Sequence, residues 1–157
     1  MITGIIADTH DNTGAISAAV EILNSRGVSL VLHAGDMVSP FTAKPFKNLK
    51  APMRCVFGNN DGDRPALMRA YRDIGDFEPG WRKIDSGGAL IYLSHRAPFG
   101  YPGEFDLYVF GHTHEPLVRK EGGGLIVNPG EAGGWLSGRR TLAVADLEKK
   151  EAEIIEF

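Results

Sequence analysis

Five short apolar segments of this chain each end in side chains that can bind a metal ion. The ligand-type residues follow these segments directly, as Asp8-Thr9-His10, Gly35-Asp36, Gly58-Asn59, Ser94-His95 and Gly111-His112-Thr113-His114. Short apolar runs bounded by turn residues are typical of buried strands, and open α/β sheets bind ligands where their strands end. The pattern therefore predicts strands that deliver carboxylate, imidazole and amide groups to one site.

The histidine pair at His112 and His114 is open to two interpretations. A strand would point the two side chains to opposite faces, but Gly111 lets the backbone turn so that both rings reach one centre or two neighbouring ones. An isolated His-x-His motif is equally consistent with two surface histidines in a loop. The recurrence of ligand-type residues after the other apolar segments favours the metal site.

Taken in this order, the motifs resemble those of the calcineurin-like metallophosphoesterases. The shared pattern comprises Asp8-x-His10, Gly35-Asp36, Gly58-Asn59-x-Asp61, His95 and Gly111-His112-x-His114. The chain is most similar to the small bacterial and archaeal phosphodiesterases that consist of the catalytic domain alone, since Asn128-Pro129-Gly130 matches the turn after the last histidine motif in that subgroup. The resemblance covers nearly the whole chain, so we expect a single catalytic domain over residues 1–157.

The order of the other segments predicts an α/β (α+β) fold. Apolar spacing and capping residues indicate helices over 13–26, about 39–46 and 63–72. From Trp81 onwards the pattern indicates strands joined by glycine-rich turns, over 81–84, 89–93, 107–110, 116–120 and 125–127, with a closing hairpin over 141–147 and 151–157. This order predicts two packed mixed β-sheets flanked by helices, the αββα sandwich of the metallophosphoesterases.

The resemblance implies a centre of two divalent ions that share Asp36. Its ligands would be Asp8, His10, Asp36 and His114 for the first ion, and Asp36, Asn59, His95 and His112 for the second. Ligands of this kind without a thiolate suit manganese, iron, nickel or zinc, and manganese is the expected ion. Two such ions can share a hydroxide that attacks a phosphate ester. Asp36, Asn59 and His112 are therefore also expected to act in catalysis.

Two departures from the family pattern affect the expected substrate. Asn60 stands where many members have a histidine that donates a proton to the leaving oxygen, and an amide cannot do so. Asp61, the usual partner of that histidine, is then left a structural or supporting role. Arg96 stands at the glycine of a His-Gly-His motif, where it either neutralises the substrate phosphate or is a solvated loop arginine. Asn60 and Arg96 are the candidate substrate contacts.

Several other residues have both a functional and a structural interpretation. In the loop 98–102, Phe99 and Tyr101 can stack on a base or an aryl leaving group, or pack over a sheet edge. Trp135 and the pair Arg139-Arg140 either meet substrate or face water. His33 lies inside an apolar run, and we expect it to be buried and hydrogen-bonded rather than a ligand.

Composition narrows the class of protein. The net charge of −3 gives no electrostatic footprint for nucleic acid, which would require a basic face, although a local basic groove stays open. The apolar runs are too short to span a bilayer. The N-terminus lacks the basic region of a signal peptide. Cys55 is the single cysteine and has no partner for an internal disulfide, which fits a reducing cytoplasm.

The leading hypothesis is a cytoplasmic dinuclear phosphodiesterase that acts on a small phosphodiester, with a nucleotide derivative as one candidate. The alternative is a binding module, because the retromer subunit uses a similar fold as a protein-interaction scaffold. All seven expected ligand positions carry competent side chains, which favours the enzyme. A repair nuclease is weaker, since such enzymes usually carry further domains. A homodimer could form through an edge strand in the β-rich half.

Overall fold

The strands of this protein form two β-sheets in a computed structural model that describes residues 1–101 and 103–157. Within these residues the first sheet has the spatial order β11 (Glu151–Glu156), β10 (Thr141–Asp146), β1 (Ile2–Ile6), β2 (Leu30–His33), β3 (Met53–Val56) and β4 (Gly75–Glu78). The second has the order β5 (Trp81–Ser86), β6 (Ala89–Ser94), β7 (Leu107–Val109), β9 (Gly124–Asn128) and β8 (Leu117–Glu121). Both sheets mix parallel and antiparallel pairs.

Because side chains point to alternate sides along each strand, each sheet has one face that packs against the other sheet. In β1, Ile5 packs into the core between the sheets, whereas Ile6 packs into the core under the helices. On the second sheet, Leu93 and Val109 face the first sheet, while Tyr108 belongs to a small aromatic cluster with Phe105 and Phe110. Successive strand residues point to opposite faces, so the two cores lie on the two sides of the first sheet.

The helices are α1 (Thr13–Ser25), α2 (Ala43–Phe46), which follows a 3₁₀ turn at Pro40–Thr42, and α3 (Arg64–Tyr71). Asn12 begins α1, since its side chain accepts the Ala15 N–H at 3.0 Å. Ile16, Ala19, Val20 and Leu23 form the buried stripe of α1. The predicted fold, two mixed sheets with flanking helices, is confirmed.

The strand β4 was not predicted from the sequence. Its residues, Gly75 to Glu78, alternate poorly, and Phe77 is the only large apolar side chain among them. The strand forms because its backbone pairs in parallel with β3 and because Phe77 stacks on Phe57 with ring centroids 4.7 Å apart. Tertiary pairing outweighs weak local propensity here.

The parallel strands place their carboxyl ends together. β1, β2 and β3 run parallel in the first sheet, and β6, β7 and β9 run parallel in the second. The predicted site residues follow five of these strands. None of the helices in the described ranges is long and apolar enough to cross a bilayer.

Candidate metal centre

Asp8 lies at the end of β1 and is completely buried. Its Oδ2 accepts the backbone N–H of His112 at 3.0 Å, which joins the exit of β1 to the exit of β7. Its Oδ1 has no hydrogen-bond partner among the described residues. Burial raises the pKa of Asp8 to about 8, helped by the nearby carboxylates of Asp36, Glu131 and Asp61 and opposed by the His112 N–H.

Two imidazoles close around the free oxygen of Asp8. Asp8 Oδ1 lies 3.8 Å from His10 Nε2 and 3.5 Å from His114 Nε2. The two Nε2 atoms are 3.4 Å apart. Burial lowers the pKa of His10, opposed by the nearby carboxylate of Asp36 and helped by the neighbouring His114. This group has the composition and the spacing of a metal site.

Asp36, after β2, reaches both halves of the site. Its Oδ2 lies 3.7 Å from His10 Nε2 and 3.5 Å from His95 Nε2. Asn60 holds the carboxylate through two hydrogen bonds of 2.8 Å, one from its backbone N–H to Oδ1 and one from its side-chain amide to Oδ2. Asp8, Asp36 and His95 form a second group, in which ligand atoms lie within 4.8 Å of one another.

His95, after β6, faces the centre in one orientation. Its Nδ1 lies 2.8 Å from the Ala34 carbonyl, which can only accept, so Nδ1 carries the proton. The other nitrogen, Nε2, lies 2.9 Å from Asn59 Oδ1. In neutral His95 these two atoms are both acceptors, and a cation between them would satisfy both.

His112 stands beside this pair but outside both groups. Its ring lies edge-on to the His95 ring, with centroids 5.0 Å apart. Burial, and next the neighbouring His95 and Arg96, lowers its pKa. A neutral imidazole is the form that binds a metal.

The backbone at these positions is strained. Non-glycine residues have positive φ angles at 53° in Asp8, 39° in His10, 59° in Asp36, 69° in His112 and 62° in His114. A side chain in such a conformation costs about 1–3 kcal/mol, and residues of this kind cluster at functional sites. Five of the seven predicted ligands therefore have an unfavourable backbone conformation, and this conformation directs their side chains into the site.

Asp61 holds backbone groups around the site, and His33 is the buried, hydrogen-bonded histidine that the sequence predicted. Asp61 accepts the backbone N–H groups of Gly58 at 2.7 Å, Val38 at 2.8 Å and Asp36 at 3.1 Å. His33 is fully buried, its Nδ1 accepts the Gly35 N–H, and burial lowers its pKa to about 3.

Glu131 was missed by the sequence analysis. Its buried carboxylate lies 3.5 Å from His114 Nδ1. It accepts the backbone N–H groups of Trp135, Leu136 and Ser137 at 2.7–3.2 Å. Burial opposes ionisation, but the hydrogen bonds from Ser137 and Leu136 lower the pKa of Glu131 to about 2. A carboxylate behind a metal-binding histidine fixes the ring and raises its basicity, but a single Glu after a turn gives no sequence signal.

The remaining sequence candidates are divided between the site and the surface. Arg96 is exposed and lines a cavity beside Asn59 and His95, whereas Phe99 points into solvent. The indole N–H of Trp135 donates to the His10 carbonyl at 2.9 Å. Arg139 pairs with Glu156 on the surface. Pro102, in the predicted access loop 98–102, lies outside the described residues.

The donor set fits a divalent metal centre. A buried carboxylate oxygen without a hydrogen-bond partner in the described chain and two facing acceptors at 2.9 Å are both unfavourable unless a cation is present. Carboxylate, imidazole and amide ligands without thiolate suit borderline to hard ions. Two packed mixed sheets whose strand ends carry such a set define a metallophosphoesterase.

Comparison with known proteins gives the same class. Residues 1–150 match the calcineurin-like phosphoesterase superfamily domain, and the chain belongs to this family. A phosphodiesterase of Methanocaldococcus jannaschii is 35% identical over 159 residues, covering 96% of each chain. A probable metallophosphoesterase of Methanothermobacter thermautotrophicus is 32% identical over 136 residues, covering 83% of this chain and 76% of the relative.

Solved structures agree with this assignment. The chain is similar to an archaeal phosphodiesterase with a TM-score of 0.90 and 34% identity, over the full length of both chains. A vacuolar protein sorting 29 protein of Entamoeba histolytica, solved with zinc, has a TM-score of 0.67 and 18% identity over 99% of each chain, which shows the fold alone. The family resemblance inferred from the motifs is confirmed.

Proposed function

We propose that this protein is a dinuclear metal-dependent phosphodiesterase that hydrolyses a small phosphodiester. The observation that supports this most strongly is that two groups of potential ligands share Asp8, a buried carboxylate whose Oδ1 has no hydrogen-bond partner in the described residues. The similarity to a phosphodiesterase over nearly the full chain supports the reaction class.

In this proposal each residue of the site has a role as a ligand or as a support. The first ion would be held by Asp8, His10, Asp36 and His114, and the second by Asp36, Asn59, His95 and His112. We propose manganese, with nickel, iron and zinc as alternatives that suit the same ligands. When bound, two divalent ions lower the pKa of water and neutralise the oxygens of a phosphate ester.

The chain's own groups prepare this chemistry. The Ala34 carbonyl fixes the proton of His95 on Nδ1, which leaves Nε2 free to act as a ligand. Asn60 orients the carboxylate of Asp36 with both of its N–H groups. Because Asn60 cannot donate a proton to a leaving oxygen, the reaction should favour leaving groups that are stable as anions. Arg96, exposed at the edge of the site, can contact the phosphate.

A protein-interaction scaffold is the second candidate function. The fold is shared with vacuolar protein sorting 29 proteins at low identity, and Asn60 removes one catalytic group of many family members. All seven ligand positions carry competent side chains, and two groups of them have the spacing of a metal site, so we rank the enzyme first.

Hydrolysis of an activated diester tests the proposal. Protein stripped with a chelator and titrated with Mn²⁺ should hydrolyse bis(p-nitrophenyl) phosphate faster than p-nitrophenyl phosphate. The variant Asp36→Asn should lose activity by at least about a hundredfold, because it removes the shared ligand. Asp85→Asn changes an exposed carboxylate on β5 and should behave as the unmodified protein. Near-normal turnover in Asp36→Asn, or silence with every divalent ion in folded protein, would contradict the proposal.

Other expectations from the sequence stay predictions. These are a single domain over residues 1–157, a cytoplasmic location, a small substrate rather than nucleic acid, and a homodimer formed through an edge strand.

A further inference from the structure

A cavity of about 750 Å³ opens beside the candidate metal centre. Asn59 and His95 lie in its wall, so one end of the cavity coincides with the proposed second ion site. Five of the other eleven lining residues are aromatic, namely Phe57, Trp81, Tyr92, Tyr101 and Tyr108. The cavity volume is in the usual range for small-molecule sites.

The aromatic wall is built in advance of any ligand. Tyr92 and Tyr108 lie nearly parallel, with an interplanar angle of 9° and centroids 6.1 Å apart. Tyr101 packs edge-on to Tyr108 at 5.1 Å. The Tyr108 hydroxyl is 3.0 Å from Ser94 Oγ, and Ser94 Oγ donates to the Arg96 carbonyl. The hydroxyl group of Tyr108 is therefore hydrogen-bonded within the wall, and the aromatic rings remain available to contact a ligand.

Trp81 is the exposed part of this wall. Its side chain is 63% exposed although its ring lies 6.0 Å from the Tyr92 ring. A large exposed aromatic surface that continues into a cavity is typical of a binding site. Trp81 can thus cover one face of a planar group.

Two guanidinium groups accompany the aromatic wall. Arg64 lies over the Phe57 ring at 4.9 Å and donates to the Gly58 carbonyl at 3.3 Å, which holds it next to the exit of β3. Arg96 lines the cavity near His95. Positive charge next to an aromatic wall and a metal centre suits an anionic ester that carries a planar group.

We propose that this cavity binds an aromatic group of the phosphodiester substrate, so that the substrates are aryl or nucleoside phosphodiesters. The phosphate lies at Asn59 and His95, and the planar group stacks in the cavity against Trp81 and the neighbouring tyrosines. This inference rests on the proposed function, because it takes the metal centre as the phosphate site. It explains why the cavity wall next to a polar centre is apolar.

Product binding tests this inference without catalysis. Isothermal titration calorimetry of the Mn²⁺-loaded protein compares adenosine 5′-monophosphate with ribose 5-phosphate, and phenyl phosphate with methyl phosphate. Stacking of one base predicts that each aromatic phosphate binds about tenfold or more tightly than its non-aromatic counterpart. A gain for both pairs indicates any aryl group, and a gain only for the nucleotide indicates nucleoside substrates.

Variants of Trp81 locate the effect. Trp81→Ala should remove most of this preference, while Trp81→Phe should retain it. Phe41→Ala removes another exposed aromatic, which is 58% exposed and lies outside the cavity, and serves as the matched control. The inference is overturned if aromatic and non-aromatic phosphates bind equally, or if folded Trp81→Ala keeps the full preference. If no phosphate binds to the metal-loaded protein, the proposed function fails as well. Binding without an aromatic preference would overturn the inference alone, so the two failures are distinguishable.

Discussion

Glu131 connects two candidate ligands that follow strands of different sheets. Its carboxylate faces His114 directly, and it holds the backbone of Trp135, whose indole donates to the carbonyl of His10. One buried side chain therefore contacts one imidazole of the first ligand group and, through Trp135, the backbone of the other residue. We expect it to tune metal binding without being a ligand itself.

The variant Glu131→Gln should weaken Mn²⁺ binding by about 10- to 100-fold, because an amide has one acceptor oxygen for three N–H groups and no charge for His114. The pKa of Glu131, about 2 against 4.5 in the unfolded chain, gives stability that is present above 4.5 and lost as the pH falls towards 2. The carboxylate of Glu131 is therefore ionised at neutral pH, and the loss of Mn²⁺ affinity in Glu131→Gln is expected at that pH. Competition with a coloured chelator measures it, and Glu156→Gln, an exposed carboxylate, is the control. Equal affinities would show that Glu131 has no such role.

At the level of single residues, the sequence predicted the roles of residues that stand next to a motif. It missed residues whose contacts are made with other parts of the chain. His33 could be predicted as buried because it lies inside an apolar run. The supporting role of Glu131 could not be predicted, because the groups that it binds are backbone N–H groups of a later loop. Asn60 was a candidate substrate contact, but its amide bonds to Asp36 because the fold brings the exits of β2 and β3 together.

The ends of β2 and β3 are packed closely enough to require glycine. A Cβ on Gly58 would lie 2.0 Å from Asp36 Oδ1 and 2.6 Å from the Asp36 nitrogen. Asp36 cannot move away easily, because Asp61 and Asn60 hold its backbone and its carboxylate. The absence of a side chain at Gly58 therefore keeps the carboxylate of Asp36 in place.

We predict that Gly58→Ala displaces Asp36 and destabilises the protein by about 1–3 kcal/mol, the usual cost of overpacking. Metal affinity should fall together with the stability. Gly62→Ala is the matched control, since a Cβ there meets nothing within 4 Å. Chemical denaturation and a Mn²⁺ titration of both variants decide the question. A Gly58→Ala protein with normal metal binding would mean that the strand ends adapt.

At the level of elements, periodicity predicted those strands and helices that carry their own apolar pattern. The helix α1 followed the expected segment because its buried residues recur at helical spacing. The strands β1, β2 and β3 followed theirs because each is a short run of mostly apolar, buried residues. The edge strand β4 is held by its pairing with β3, and the residues of β4 themselves do not indicate this pairing.

The two sheets contribute different candidate ligands to the proposed centre. Asp8, His10, Asp36 and Asn59 follow strands of the first sheet, and His95, His112 and His114 follow strands of the second. Between the sheets the contact is otherwise apolar, with side chains such as Ile5, Leu32 and Leu93. Bound metal ions would therefore join the sheets at one edge.

Metal binding should consequently stabilise the whole protein. At 100 times the dissociation constant, a ligand adds about 2.7 kcal/mol to the free energy of unfolding, or roughly 5–10 °C in melting temperature for a chain of this size. Thermal unfolding with Mn²⁺ and with chelator measures the shift. Asp8→Asn, which removes a ligand from both groups, should show a much smaller shift. Equal melting temperatures of the unmodified protein in both conditions would contradict the idea.

The positive φ angles of Asp8, His10, Asp36, His112 and His114 also bear on why these residue types stand at these positions. Glycine would occupy any of these positions with less strain, so stability alone gives no reason to keep an aspartate or a histidine there. Aspartate or histidine at all five positions is therefore best explained by a need for the side chains themselves, as strained residues cluster at functional sites.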